Sequence, residues 1–165
     1  EISECLVGSE MCIRDRAHTV KFFNEEPVIA MLSYSNFGTD AAGSPVKVHK
    51  AVAEMQKAYP DLAIDGEMQV NYALNKKLRD EKYPFSRLKG KDVNTLVFPN
   101  LSSANASYKL LQALNPEAEI IGPIQMGLNK PIHFTDSEGS VQDIVNITAV
   151  AVIDAYVEKI KNNKQ

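Results

Sequence analysis

Tryptophan is absent from this 165-residue chain, and cysteine occurs only as Cys5 and Cys12. Spacing alone leaves a disulfide or a metal site open for these two, as the less favoured reading. No apolar run reaches the roughly 20 residues of a membrane span, because the longest, residues 144–157, is interrupted by Asn146, Thr148 and Asp154. No basic excess is present either: 18 Lys and Arg face 21 Asp and Glu, for a net charge of -3. That balance argues against nucleic acid or an anionic membrane surface as partner. The length suits one sizeable core, or the tail of a longer chain.

The segment 4–16, ECLVGSEMCIRDR, resembles the translated read-through of a sequencing adaptor. Residues 1–16 are therefore expected to be foreign to the natural protein and are set aside from the fold. What remains lacks cysteine, and the sequence is expected to begin inside a longer protein.

From Pro27 onward, short apolar runs alternate with helical periodicity. Pro27 to Ser33 reads as a buried parallel strand. Ser44 and Pro45 open a helix to Tyr59, with Val48, Ala51, Val52, Met55 and Ala58 on one face. Leu62 to Ile64 is a second strand, and Gly66-Glu67 leads into a helix through Leu78. Lys76 to Lys91 is polar and reads as a weakly ordered stretch carrying a surface loop. A third strand spans Val93 to Phe98, and a helix capped by Ser102 or Ser103 runs to Leu114. Further short strands are expected at Ala118 to Ile121 and Ile132 to Phe134. A long helix from Val141 to about Lys161 closes the chain, with apolar residues on more than one face. Such alternation predicts the α/β class, a mainly parallel sheet with helices on both faces.

In open parallel sheets, ligands bind beyond the carboxyl ends of the strands. The residues to watch there are Ser33, Ser35 and Asn36, then Asp65, Gly66 and Glu67, then Asn100 to Asn105, and finally Gly122 to Gly127. Each group joins small residues, which let backbone amides approach a ligand, to side-chain donors. The competing reading is that they cap helices and turn the chain. His49 lies between Lys47 and Lys50 and is expected to be solvated. His133 has no second histidine or cysteine at metal spacing, so a hydrogen-bonded surface role is favoured, and no metal ligands are assigned.

Four motifs recur in one order: Asp65-Gly66-Glu67, FPNLSSANASYKL with Asn105 and Tyr108-Lys109, Gly122-Pro123 with Gly127, and SVQDIVN at 140–146. In this the chain resembles the phosphate acetyl/butyryl transferase family, and most of all the C-terminal transacetylase-like region of bacterial NADP-dependent malic enzymes. The resemblance implies two α/β lobes flanking a cleft, in an isocitrate/isopropylmalate dehydrogenase-like architecture. Residues 17–121 would form the second lobe and residues 122–165 a return segment of the first.

It also implies a cleft for acetyl-CoA or acyl phosphate, formed by Ser33, Ser35, Asn100, Ser102, Asn105, Lys109, Gly122, Pro123 and Gly127. Active members carry Ser-Arg-Gly-Cys-Ser before the last helix and a carboxylate three residues later. Here the serine and arginine positions hold Asp136 and Ser137, while Asp143 fills the carboxylate position. Asp136 and Glu138 would repel an acyl phosphate, and Ser137 cannot neutralise it. Asp143 equally completes a Ser-x-x-Asp capping box with Ser140. The resemblance therefore implies a regulatory and oligomerising domain of a cytoplasmic homo-oligomer, with acetyl-CoA as effector. NADP and a divalent metal, Mg or Mn, would serve the parent's N-terminal malic enzyme domains rather than this chain. An active acyltransferase with a divergent loop is the alternative, and a ligand-free assembly module a third.

Overall fold

The computed structural model describes residues 13, 17, 20, 25–118, 120–125, 128, 130–135, 137 and 139–162, with the backbone alone at 158 and 160–162. Two compact units divide the chain, Glu1–Leu110 and Leu111–Gln165.

The first unit is built on a three-stranded parallel sheet. Strands β1 (Val28–Leu32), β2 (Ala63–Met68) and β3 (Thr95–Val97) lie in the order β2-β1-β3. Ile29 pairs with Ile64 on one side of β1 and with Thr95 on the other. The β1–β2 register shifts between Met31 and Leu32, so Leu32 lies opposite Met68.

Alternation along β1 explains why both faces are covered. Ile29 and Met31 face helix α1 (Ser44–Ala58) and pack with Val48, Ala51, Val52 and Met55, together with Ile64. Ile13 and Ala17 belong to the same cluster. Ala30 and Leu32 point the other way, into a second cluster with Met68, Ala73 of helix α2 (Val70–Leu74) and Leu88. Each fully buried side chain of this size contributes about 1.5–3 kcal/mol, so the two clusters are the main favourable term in the unit.

Several local expectations need correction. Gly66 and Glu67 lie within β2 rather than opening a helix, because Gly66 pairs with Met31 of the central strand. The helix expected through Leu78 is two short ones, α2 and α3 (Lys76–Lys82), divided at Asn75, whose side chain caps the second by accepting from Leu78 N. Gly43, not Ser44, holds the cap position of α1, and no side chain closes that end. Asn100, not Ser102 or Ser103, caps helix α4 (Leu101–Leu114): its Oδ1 accepts from Ser103 N at 2.9 Å.

The stretch 76–91 is fixed from within. Arg79 is fully buried, and its guanidinium donates to the carbonyls of Ala73 at 3.1 Å and Leu88 at 3.0 Å, and to that of Lys91. One planar cation thereby gathers main-chain acceptors that no sheet or helix serves.

The second unit contains helix α5 (Val141–Asn162). The strands expected at 118–121 and 132–134 do not form among the described residues. Among the described residues neither segment joins the three-stranded sheet, and Ile121, Ile132 and Phe134 remain at least half exposed. Ile147 of α5 is buried, while Val141, Ile144, Val145, Val152, Ile153 and Tyr156 are exposed, so the helix carries more apolar surface than this unit covers.

Candidate functional site

At the carboxyl end of the sheet, the loop from Ser33 to Gly43 leaves the central strand and is tied to the end of β2. Ser33 N donates to Met68 O at 3.0 Å, and Phe37 N to Glu67 O at 2.8 Å. Asn36, itself buried, accepts from Gln69 N through Oδ1 at 2.8 Å. Ser35 Oγ lies 2.9 Å from Thr39 Oγ1 and accepts from Asp40 N at 3.0 Å.

Glu67 is the centre of this network. Its carboxylate is wholly buried, with Oε1 accepting from Gly38 N at 2.6 Å and from Ser35 Oγ at 3.3 Å. Oε2 lies 3.1 Å from His49 Nδ1. Donors from the loop and from α1 therefore converge on one buried acid, which is how a buried carboxylate is made tolerable. His49, expected to be solvated, is 61% exposed in its side chain yet held by Glu67. Its neighbours Lys47 and Lys50 concealed this in the sequence. The signal that could have found it is its place next to buried Val48, at the border of the helix's apolar face.

Asp65 performs a different task. Its Oδ2 accepts from Ser86 Oγ at 2.7 Å and Arg87 N at 2.8 Å, and Oδ1 from Gln56 Nε2 at 3.3 Å. It anchors the turn at 86–87 against the sheet. Rings of Phe37, Tyr72, Tyr83 and Phe85 pack edge to face or tilted beside the loop, with centroids 4.8–5.9 Å apart. Tyr34 OH donates to Asp40 Oδ2 at 3.0 Å, and that bond, with the nearby carboxylate charge, raises the phenol above its ordinary range.

The sequence-derived site residues separate into groups. Ser33 and Ser35 lie in the loop after β1, but Ser35 is buried and spent on Glu67, Thr39 and Asp40. Asn100, Ser102, Asn105 and Lys109 follow the adjacent strand β3; all four are exposed, Asn100 as the cap and Lys109 with its ammonium 5.6 Å from the Tyr108 ring centroid. Gly122 and Pro123 belong to the second unit and are joined by a cis bond. Gly127 and Asp136 lie outside the described residues, and Ser137 is an exposed turn residue. His133 is buried in its side chain, with Nε2 3.3 Å from Asp154 Oδ2, an ion-pair distance without hydrogen-bond alignment. Among the described residues no group of three or more His, Cys, Asp or Glu is placed to hold a metal ion.

Asp143 forms the capping box. Ser140 N and Oγ both donate to its Oδ2 at 2.8 Å, and Asp143 N donates back to Ser140 Oγ at 3.1 Å. The Ser140 hydroxyl first, then its backbone amide, hold the carboxyl below its ordinary range. The cap is therefore fully formed above the unfolded carboxyl's titration range and is lost as pH falls through the lower, folded one. The protection of amides in the first turn of α5, taken as hydrogen exchange relative to each amide's intrinsic rate at the same pH, is expected to fall on acidification below about pH 4, where a free aspartate protonates. Unchanged protection there would contradict the cap.

These features define a parallel α/β domain with polar loops at the strands' carboxyl ends. The family model for phosphate acetyl/butaryl transferase matches residues 12–152, and the chain belongs to that family. It is 42% identical over 139 residues to an NADP-dependent malic enzyme of Salmonella typhimurium, spanning 84% of this chain and 18% of that protein. It is equally 42% identical to a phosphate acetyltransferase of Clostridium acetobutylicum, over 82% of this chain and 40% of the relative. Among solved structures, a phosphotransacetylase from Streptococcus pyogenes superposes with a TM-score of 0.77 at 37% identity, covering 89% of this chain and 43% of that one. The chain thus spans less than half the length of these relatives. No helix among the described residues is long and apolar enough to cross a membrane.

Proposed function

We propose that this chain is the C-terminal, transacetylase-like part of an NADP-dependent malic enzyme, binding acetyl-CoA without transferring its acyl group. Identity alone is equal for malic enzyme and transferase relatives. The observation that carries the choice is the loop before α5, where the serine and arginine of active transferases are Asp136 and Ser137. An acyl phosphate needs preorganised positive charge as its leaving group develops, and loss of one such donor typically costs about a hundredfold or more. Two acids in that loop do the opposite. Asp143 is further committed to the cap of α5.

On this reading the natural domain has the two-lobed, isocitrate dehydrogenase-like architecture and serves a cytoplasmic homo-oligomer. NADP and Mg or Mn act in domains outside this chain. Acetyl-CoA would bias the equilibrium between two arrangements of the lobes, and its differential affinity for them sets how strongly malate oxidation responds.

The test uses the intact protein that contains this chain. Malate-dependent NADP reduction is followed with and without acetyl-CoA, beside an assay for acetyl transfer between acetyl phosphate and CoA. The expected result is malate oxidation that responds to acetyl-CoA, with no acyl transfer. Acyl transfer without malate oxidation would establish an active transferase instead, and malate oxidation indifferent to acetyl-CoA would leave an assembly role only.

A further inference from the structure

A cavity of about 560 Å³ opens at the amino ends of the strands, where Val28 begins β1 and Ala63 begins β2. Its wall is apolar: Val28, Met55, Ala58, Leu62 and Ala63 line it, with Met55 fully buried. Glu26, Tyr59, Asp61 and Lys91, all exposed, line it too. A volume within about 300–1,000 Å³, an apolar wall and a few polar groups are the usual make-up of a small-molecule site. The five residues of β1 separate this cavity by about 13 Å from the loop at the sheet's carboxyl end. It is therefore a different place from the strand-end loops considered above for acetyl-CoA.

The charged residues around it are fixed through their main chains, which leaves their side chains free to serve something else. Asn94 Nδ2 donates to Glu26 O at 2.8 Å. Asp61 sits inside the turn that Leu62 N closes on Tyr59 O at 3.1 Å, and Arg87 ties that turn by donating to Pro60 O at 2.6 Å. Lys91 N donates to Leu88 O at 3.0 Å, while Lys91 O accepts from buried Arg79. Among the described residues, no hydrogen bond or ion pair engages the carboxylates of Glu26 and Asp61 or the ammonium of Lys91. The C-terminal end of α1, three residues before Asp61, adds partial negative charge on that side.

We propose that this cavity binds a free amino acid with a large apolar side chain, its ammonium taken by Asp61 and Glu26, its carboxylate by Lys91 and its side chain by the wall around Met55. Each simpler ligand leaves part of the site opposed or unused. An anion alone would face two carboxylates, a cation alone would face Lys91, and a bare ion has no use for the apolar wall.

Saturation-transfer NMR on the intact protein that contains this chain measures the binding of four compounds. L-phenylalanine carries all three features, phenethylamine lacks the carboxylate, 3-phenylpropionate lacks the ammonium, and L-alanine lacks the apolar body. Phenylalanine is expected to bind with a Kd of about 1 mM or tighter, the scale that ligand efficiency allows a molecule of its size. Each of the other three is expected to bind about fivefold more weakly or worse. Lys91→Gln should weaken phenylalanine about fivefold and leave phenethylamine unchanged. Glu26→Gln combined with Asp61→Asn should weaken phenylalanine and phenethylamine but not phenylpropionate. All three substitutions alter exposed side chains and keep the main-chain bonds, so the variants retain the fold. Saturating acetyl-CoA should not displace phenylalanine. The proposal is overturned by phenylalanine that fails to bind at that concentration, that binds indifferently to these substitutions, or that acetyl-CoA displaces. Equal loss of phenylalanine and phenethylamine in Lys91→Gln would overturn it as well.

Discussion

Replacing Gly66 by alanine is expected to destabilise the first unit by about 3 kcal/mol or more, among the larger effects of a single methyl group. A Cβ there would meet Met31 O at 2.5 Å and Met31 Cβ at 3.0 Å, and the backbone at φ +144° is one that side-chain-bearing residues rarely adopt. Neither obstacle is a flexible side-chain tip. Met31 belongs to the central strand, paired on both sides and buried, so it cannot retreat without disturbing β2 and β3. Chemical denaturation of wild type and Gly66→Ala, followed by circular dichroism, measures the difference. A midpoint shift equivalent to less than about 1 kcal/mol would show that the strand yields more readily than its packing implies.

The second large effect is expected at Arg79. Arg79→Met preserves much of the stem's volume but removes the guanidinium's hydrogen bonds to the carbonyls of Ala73 and Lys91, and leaves that of Leu88 with Lys91 N alone. An unsatisfied buried polar group costs about 1–3 kcal/mol, so a loss of about 3–5 kcal/mol is expected once part of the segment relaxes toward water. Arg79→Lys should recover little, since one ammonium cannot reproduce the planar fork that reaches separate carbonyls. Amide exchange across 73–91 localises the effect. Opening confined to that stretch supports the role given to Arg79, whereas unchanged protection in both variants would refute it.

The elements were legible wherever a period was present. The short apolar run of β1, the apolar face of α1 and the long apolar stretch of α5 are each visible in the sequence, and the structure has them within a few residues. Arg79 was not legible, because a guanidinium that serves main-chain carbonyls imposes no pattern on neighbouring side chains. Residues 76–91 consequently read as a polar loop. The short segments 118–121 and 132–134 misled for the opposite reason: Ile120, Ile121, Ile132 and Phe134 are β-prone, but a strand needs a partner, and propensity does not supply one.

The site divides along the same line. Asp65-Gly66-Glu67 was visible as a motif, yet nothing in its letters separates the acid that anchors a turn from the acid that organises a loop. That division of labour depends on which residues the fold brings to each carboxylate, from Gln56 to Arg87 in one case and from Ser35 to His49 in the other. Likewise, Ser35 was selected as a ligand contact because it follows a strand, and its burial against Glu67 was beyond reach of that rule.

The strand order β2-β1-β3 bears on how the chain comes into being. The central strand is synthesised first, and both of its neighbours follow, the last beginning only at Thr95. Until then Val28 to Leu32, an uncharged apolar stretch, has at least one open edge. Parallel pairing over such separations closes slowly, because long loops must be ordered before any contact rewards them. On the ribosome, the interval between β1 and β3 is therefore when this sequence is most exposed to wrong partners, and when a chaperone that recognises bare apolar strands has most to protect.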